Sequence, residues 1–343
     1  MRLTTHPVRS RDDRRAFVRL PHRLYARDPL WVAPIWSDLR ARLDLDRAPF
    51  FAHGRAELFL ARRGGEPVGR ISAHVDDAYT RLHSKPAHPD RAGFFGFFEC
   101  DDDGAAAEAL IDAAAEWLAD RGCDRMIGPA SFTLNDEAGL LIDGFDRPPM
   151  FLMAYNPPYY EPLLEKSGLA GVQDLFAYRL DASSDPPPDV ERFARTAEAE
   201  FTFRTIDLRR FDEEMRRFLE VYNAAWEANW GFAPFSESEI REHAKRLRPI
   251  VDPNLVFVVE CGSEPVAVGL TLPDLNEALI SVHGRLGPVA AARVLWRARR
   301  RRWSACRVVA LGVKKEFRRT GIGAHLYIDT LSAAAAAATA GAR

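Results

Sequence analysis

Long apolar runs are missing: no stretch of the 343 residues approaches the roughly 18 apolar residues that a membrane-spanning helix needs. The opening, MRLTTHPVRSRDDRR, turns charged before any apolar segment develops, so no secretory signal is expected. Cysteine is scarce. Cys100, Cys123, Cys261 and Cys306 lie far apart with no CxxC pair, which argues against a zinc site or a disulfide framework and for reduced thiols. No charge of one sign predominates: 47 basic residues against 49 acidic ones leave a net charge of −2, without the basic excess usual in proteins that coat nucleic acid. The nine histidines form no HExxH and no close pair, so no metal is expected. What remains is a globular balance, 47% apolar and 28% charged, in a chain long enough for two ordinary domains. The expectation is a cytoplasmic protein without a membrane or nucleic-acid partner.

The chain repeats itself. Glu57–Gly69 (ELFLARRGGEPVG) and Asn254–Ala267 (NLVFVVECGSEPVA) each give an apolar strand-forming run, a glycine-containing turn, Glu-Pro and a second apolar run. This is a hairpin pattern, and its prolines, Pro67 and Pro265, stand about 198 positions apart. Upstream, Tyr25 leads to Trp31 and Pro34 as Tyr222 leads to Trp230 and Pro234, at about the same offset. Between the copies, Asp181–Asp189 is polar and proline-rich and reads as a linker. The expected domains are 1–182 and 190–343, joined by 183–189.

Each hairpin is followed by another strand, Gly93–Glu99 in the first copy and Arg307–Val313 in the second, and then by a helix. Helical spacing puts Ala106, Leu110, Ala113 and Trp117 on one face of the first helix, and Ala324, Ile328, Leu331 and Ala335 on one face of the second. The first copy continues through strands expected at Asp124–Ala130 and Val172–Leu180, with a helix between them after Tyr155. The second ends within or just after its helix, so the expectation is a copy lacking its final strands.

The most chemically suggestive segment is Leu311-Gly-Val-Lys-Lys-Glu-Phe-Arg-Arg-Thr-Gly-Ile-Gly-Ala324. A strand ends, a basic turn follows, and two glycines open a helix. Such a turn offers backbone N–H groups and the positive end of the helix dipole to a pyrophosphate, with Lys314, Lys315, Arg318 and Arg319 as charged donors. It is not a Walker loop, because GxxxxGK[ST] is absent, nor a Rossmann fingerprint, because Leu326 stands where a third glycine belongs. A plain strand–turn–helix junction with solvated basic residues is the competing reading.

Arg318, Gly321 and Gly323 match R/Q-x-x-G-x-G/A, and the segment resembles the acetyl-CoA motif of the GNAT N-acetyltransferase superfamily. The hairpin turn at Pro67-Val-Gly69 is similar to that superfamily's second and third strands. The resemblance implies an α+β fold of two tandem GNAT-like domains, each a mixed, mostly antiparallel sheet flanked by helices. It implies acetyl-CoA as cosubstrate, with pantetheine along the backbone of Val308–Val313, Leu311, Gly312 and Val313 among them, and the diphosphate on Arg318, Arg319, Thr320, Gly321, Ile322, Gly323 and Ala324. The first copy carries Asp101-Asp102-Asp103 in the corresponding place, where three carboxylates repel phosphate but can cap their own helix, so it reads as a degenerate copy.

N-acyl transfer needs a base for the amine and an acid for the leaving thiolate. Asp274 and Glu277 are the base candidates in the second copy, against the blander reading of a solvated loop. Tyr159 and Tyr160, in Asn156-Pro-Pro-Tyr-Tyr160, resemble the superfamily's tyrosine region and are the acid candidates. Asn135-Asp136-Glu137 is a second acidic cluster, and Arg297 with Arg299–Arg302, flanked by Trp296 and Trp303, is a basic run better read as a solvated face. The expected activity is acetyl transfer to a small-molecule or peptide amine, with a non-catalytic CoA-binding or scaffold protein as the alternative. The open edge of the incomplete sheet leaves three outcomes: the first copy covers it, a second chain covers it as in a homodimer, or it stays open.

Overall fold

The computed structural model describes residues 1–85, 90–300 and 303–341. The chain divides into two compact units, Met1–Phe176 with Leu279–Leu286, and Ala177–Ala278 with Gly287–Arg343. The architecture is α+β with mostly antiparallel sheets. The short return of 279–286 to the first unit is a feature that a simple cut at the linker does not contain.

In the first unit, β1 (Leu3–Pro7), β2 (Gly54–Arg63), β3 (Glu66–Asp76), β4 (Ala92–Cys100) and β5 (Arg125–Ile127) form one sheet in that order, all neighbours antiparallel except β4–β5. One face is covered by α1 (Arg11–Leu24) and α2 (Trp36–Arg42), which bury Phe17, Val18 and Leu39 against Leu58, Leu60 and Phe97. The short α3 (Asp77–His83) follows β3 directly. The other face is covered by α4 (Gly104–Ala119), through Ala106, Ala107, Leu110, Ile111, Ala114 and Leu118, and further along the chain by α5 (Tyr160–Lys166). Of the expected stripe, Ala106 and Leu110 are fully buried while Ala113 and Trp117 lie at its margin. A two-stranded ribbon, β6 (Ala130–Ser131) with β7 (Glu137–Ala138), lies between β5 and α5 in the chain.

The second unit opens with α6 (Pro188–Arg195), which starts inside the segment read as linker: Pro188 sits at the first helical turn, where a missing N–H costs nothing. Then come β8 (Thr202–Thr205), α7 (Phe211–Trp226), α8 (Glu237–Leu247), β9 (Val256–Cys261), β10 (Glu264–Pro273), α9 (Asn276–Leu279), α10 (Pro288–Arg299), β11 (Cys306–Val313) and α11 (Ile322–Gly341). The sheet order is β11-β10-β9-β8, antiparallel throughout. One face packs on Ile322 and Leu326 of α11 and Ala197 after α6; the other packs on Phe218 and Val221 of α7. The buried line of α11 is therefore Ile322–Leu326–Thr330, with Ala333 at its edge, rather than the Ala324–Ile328–Leu331–Ala335 line that spacing suggests.

The two larger sheets share irregularities of register. Each hairpin shifts by one residue just after its Glu-Pro, at Pro67–Gly69 and at Pro265–Ala267, and each third–fourth strand pair contains a further shift. Such bulges bend the strand and re-aim the side chains beyond them. One expected strand is not formed: Val172–Leu180 is irregular, with Val172, Leu175, Phe176, Tyr178 and Leu180 all exposed. No helix among the described residues is long and apolar enough to cross a membrane.

Candidate functional site

β11 is the edge of its sheet among the described residues, with β10 on one side and Val308 exposed. Its bulge, opposite Leu270–Thr271, lies in the middle of the strand. Beyond Val313 the chain makes one 3-10 turn, Lys315–Phe317, and enters α11 through two residues of positive φ, Arg319 (66°) and Gly321 (91°). The first helical hydrogen bond runs from the His325 amide to the Gly321 carbonyl, 3.0 Å. The amides of Ile322, Gly323 and Ala324 thus precede the helical ladder and point out of its positive end. A Cβ placed on Gly323 would meet nothing within 4 Å, so this is where a ligand can approach the backbone.

The two other glycines of the segment, Gly321 expected at the diphosphate and Gly312 along the pantetheine arm, also have packing duties. A Cβ on Gly321 would lie 2.3 Å from the Phe193 carbonyl oxygen and 2.7 Å from Thr196 Oγ1, at the end of α6. The Cβ side of Gly321 is filled by protein. A Cβ on Gly312 would lie 2.0 Å from the Trp226 ring of α7, so this glycine admits an indole. Thr320 is turned inward as well, its hydroxyl donating to the Phe317 carbonyl at 2.7 Å.

The cations are also partly engaged. Lys314 is buried, its ammonium bonded to Glu220 at 2.7 Å and Glu264 at 2.9 Å. Burial alone opposes its charge, but the two carboxylates outweigh this and raise its pKa. Arg318 donates to the Ala225 carbonyl at 2.8 Å and to the Val313 carbonyl at 3.3 Å, tying the end of α7 to the end of β11. Lys315 and Arg319 remain exposed beside the helix start, without an ion pair among the described residues. The turn keeps its backbone donors and two cations; it loses Lys314 and half-commits Arg318.

Asp274 and Glu277 lie past the far end of β10, whose Pro273 pairs with Cys306 at the start of β11, remote along the strand from the glycine turn. Glu277 is engaged: it accepts from the Ser304 hydroxyl (2.7 Å), the amides of Ser304 (2.9 Å) and Ala305 (3.1 Å), and the Arg297 guanidinium (3.0 Å). Its carboxylate latches α10 to the entry of β11, with three donors on Oε1 and the Arg297 guanidinium on Oε2. Asp274 caps the turn at Asn276, 3.1 Å from its amide. Of the basic run, Arg297 is thus a structural partner, while Arg301 and Arg302 lie outside the described residues, as does the side chain of Arg299.

In the first unit, Tyr159 and Tyr160 bracket one residue. Tyr159 donates to the Cys100 carbonyl at 2.9 Å, and Tyr160 accepts from the Cys100 amide at 2.9 Å while donating to Glu99 at 2.8 Å. Tyr25 donates to the same Glu99 oxygen at 2.9 Å, and Arg70, directly across the sheet, approaches its other oxygen at 3.4 Å. This buried group of Glu99, Arg70, Tyr25 and Tyr160 is not among the residues that sequence reasoning singles out. Its trace in the sequence is a lone charge in each of two apolar strands, GFFGFFE and PVGRISA. Burial pushes the Glu99 pKa upward, with Arg70 and the two hydroxyls acting the other way. Burial also lifts the phenols of Tyr25 and Tyr160 well above their ordinary value.

Beside β4 the opening to β5 is closed by the chain itself. A Cβ on Gly96 would sit 1.8 Å from the Ala130 carbonyl oxygen, and the Phe97 amide donates to Ser131 Oγ at 3.1 Å. Arg42 holds the Ser131 carbonyl and lies 4.0 Å from Asp136, which places Asp136 of the acidic cluster in an ion pair. The turn after β4 is likewise committed: Asp101 pairs with Arg23, and Asp103 caps α4 at Ala106 and pairs with Arg63. The capping role expected of these aspartates holds for Asp103. No group of three His, Cys, Asp or Glu side chains that could hold a metal occurs among the described residues.

Comparison with known proteins places the chain among relatives. No family model matches it. It is 39% identical over 316 residues to the bacterial ceramide synthase of Caulobacter vibrioides, covering 92% of this chain and 81% of that protein. It is 32% identical over 317 residues to protein YghO of Escherichia coli, covering 92% of this chain and 79% of that protein. The chain belongs to the family that these two proteins represent.

Proposed function

We propose that the protein is an acyltransferase that forms an amide, moving an acyl group from a CoA thioester to an amine on a GNAT-like platform in the second unit. The observation that carries this reading is the open run from β11 into α11. A bulged strand, at the sheet edge among the described residues, leads to a helix start whose amides at Ile322, Gly323 and Ala324 face open space at Gly323. Strand edge suits the amides of a pantetheine arm, and helix start suits its diphosphate, with Lys315 and Arg319 beside it. The first unit, whose corresponding opening is filled by 128–131 and whose turn is acidic, serves structure or acceptor binding.

The relative's name supplies the chemistry to test first. A ceramide is an N-acylated long-chain amino alcohol, so the amine acceptor proposed here is a long-chain amino alcohol, and the acyl donor is a fatty acyl-CoA before it is acetyl-CoA. Purified protein incubated with such an amine and either palmitoyl-CoA or acetyl-CoA is expected to release CoA thiol and yield the amide by mass spectrometry. No amide with any donor, while the protein remains folded, would overturn the enzymatic reading. The engagement of Lys314 and Arg318 within the protein favours one competitor, a CoA-binding scaffold. That reading expects CoA binding by calorimetry with no product.

A further inference from the structure

On the α1–α2 side of the first unit, three arginines surround one indole, and none of them has a counter-ion among the described residues. The guanidinium carbons of Arg285, Arg19 and Arg40 stand 4.9, 5.8 and 6.0 Å from the Trp36 ring centroid. Arg19 comes from α1, Arg40 from α2, and Arg285 from the 279–286 segment that belongs to this unit. The arrangement is built rather than accidental. The Trp36 amide donates to the Gly284 carbonyl at 3.0 Å, and Gly284, at a φ of 76°, has no room for a Cβ, which would lie 2.7 Å from the indole. The indole N–H of Trp36 donates to His22, whose ring also meets Trp31 edge-on at 5.1 Å. His22 is held below its ordinary pKa by burial and by Arg70, Arg285, His283 and Arg19, so it remains a neutral acceptor.

Several other exposed arginines of this chain are paired, Arg9 with Glu57, Arg55 with Asp77, Arg147 with Asp146 and Arg210 with Glu213, while ones unpaired among the described residues, such as Arg319, do not gather around a shared ring. Around Trp36 no carboxylate forms an ion pair with any of the three among the described residues. An indole face attracts a cation, but gathering three like charges around one ring is repulsive unless an anion joins them. Guanidinium groups offer several N–H donors each in planar forks that match tetrahedral oxyanions. The overall charge of −2 makes this a local feature, and three cations around a single ring suit one anionic group rather than a nucleic-acid backbone.

We propose that Arg19, Arg40 and Arg285 around Trp36 form a binding site for a phosphate ester, carried either by a lipid headgroup or by a soluble molecule. The site is independent of the acyl-transfer reading and stands or falls separately from it.

The test uses the full chain. Calorimetry with inorganic pyrophosphate and with glycerol phosphate measures the soluble arm, and co-sedimentation with phosphatidylcholine vesicles, with and without phosphatidylglycerol, measures the lipid arm. Saturable binding in at least one arm, weakened about tenfold or more in the double variant R40Q/R285Q and by added salt, is the expected result. Binding in the vesicle arm only for phosphatidylglycerol assigns the phosphate to a lipid; binding of the soluble probes alone assigns it to a soluble ester. R19Q, on the exposed face of α1, serves if the double variant fails to fold. Absence of saturable binding in both arms, or equal binding by a folded variant, overturns the proposal.

Discussion

At Gly321 a Cβ would press on the Phe193 carbonyl at 2.3 Å with φ already at 91°, whereas at Gly323 it would enter open space. Two glycines of one motif therefore answer to different constraints, one to packing and one to access. Gly321→Ala should lower stability by roughly 1–3 kcal/mol in a denaturant melt, from positive-φ strain and displacement of α6. Gly323→Glu should leave the melt nearly unchanged, because an acidic side chain suits the first turn of a helix, yet abolish CoA binding by repelling phosphate. Equal CoA affinity in Gly323→Glu and the parent protein would remove the diphosphate from this turn.

A second residue makes a prediction about acid. His74 is fully buried between Phe94, stacked at 5.6 Å, and Phe132, edge-on at 5.3 Å. Burial lowers its pKa to about 4. The folded ring stays neutral while the unfolded one gains a proton below its ordinary value, so His74 costs nothing above that value and destabilises the fold progressively as pH falls from about 6.5 to about 4. The loss at the acid limit is on the order of 3 kcal/mol. Melts of the parent and of His74→Phe at pH 7 and pH 4.5 should show the parent losing more stability on acidification. Parallel losses in both proteins would show that another group governs.

At the scale of elements, the hairpins β2–β3 and β9–β10, the strands β4 and β11 and the helices after them are legible in the chain, because each is specified by local alternation and a turn. The offset of about 198 between Pro67 and Pro265 of the two hairpins is what suggests a repeat in the sequence. What is not legible is whatever depends on partners distant in sequence. Glu99 and Arg70 look like isolated polar intrusions until the sheet sets them opposite each other. Glu277 looks like a free loop acid until four donors converge on it from Arg297, Ser304 and Ala305. In α11, alanine on every side leaves the periodic signal weak, so spacing puts the buried line two positions away from where Ile322 and Leu326 set it. Val172–Leu180 has a strand's composition, but no neighbouring strand pairs with it among the described residues. Composition specifies a willingness to pair, not a partner.

For the whole molecule, the exposed segment and the division into units meet at one place. Phe176 is 77% exposed and Tyr178 85%, both in irregular backbone, and the boundary between the units falls after Phe176. Chymotrypsin, which cuts after such residues, should nick the native protein there before anywhere else. The two products would be of nearly equal length, yet Leu279–Leu286, downstream of the nick, is part of the first unit and is held there by the Trp36–Gly284 hydrogen bond. The nicked chain should therefore show two bands on a denaturing gel and a single peak in native gel filtration; separation into two peaks would contradict it. The same logic makes the protein a split pair: halves produced separately, divided at residue 176, have a built-in eight-residue plug by which to find each other again.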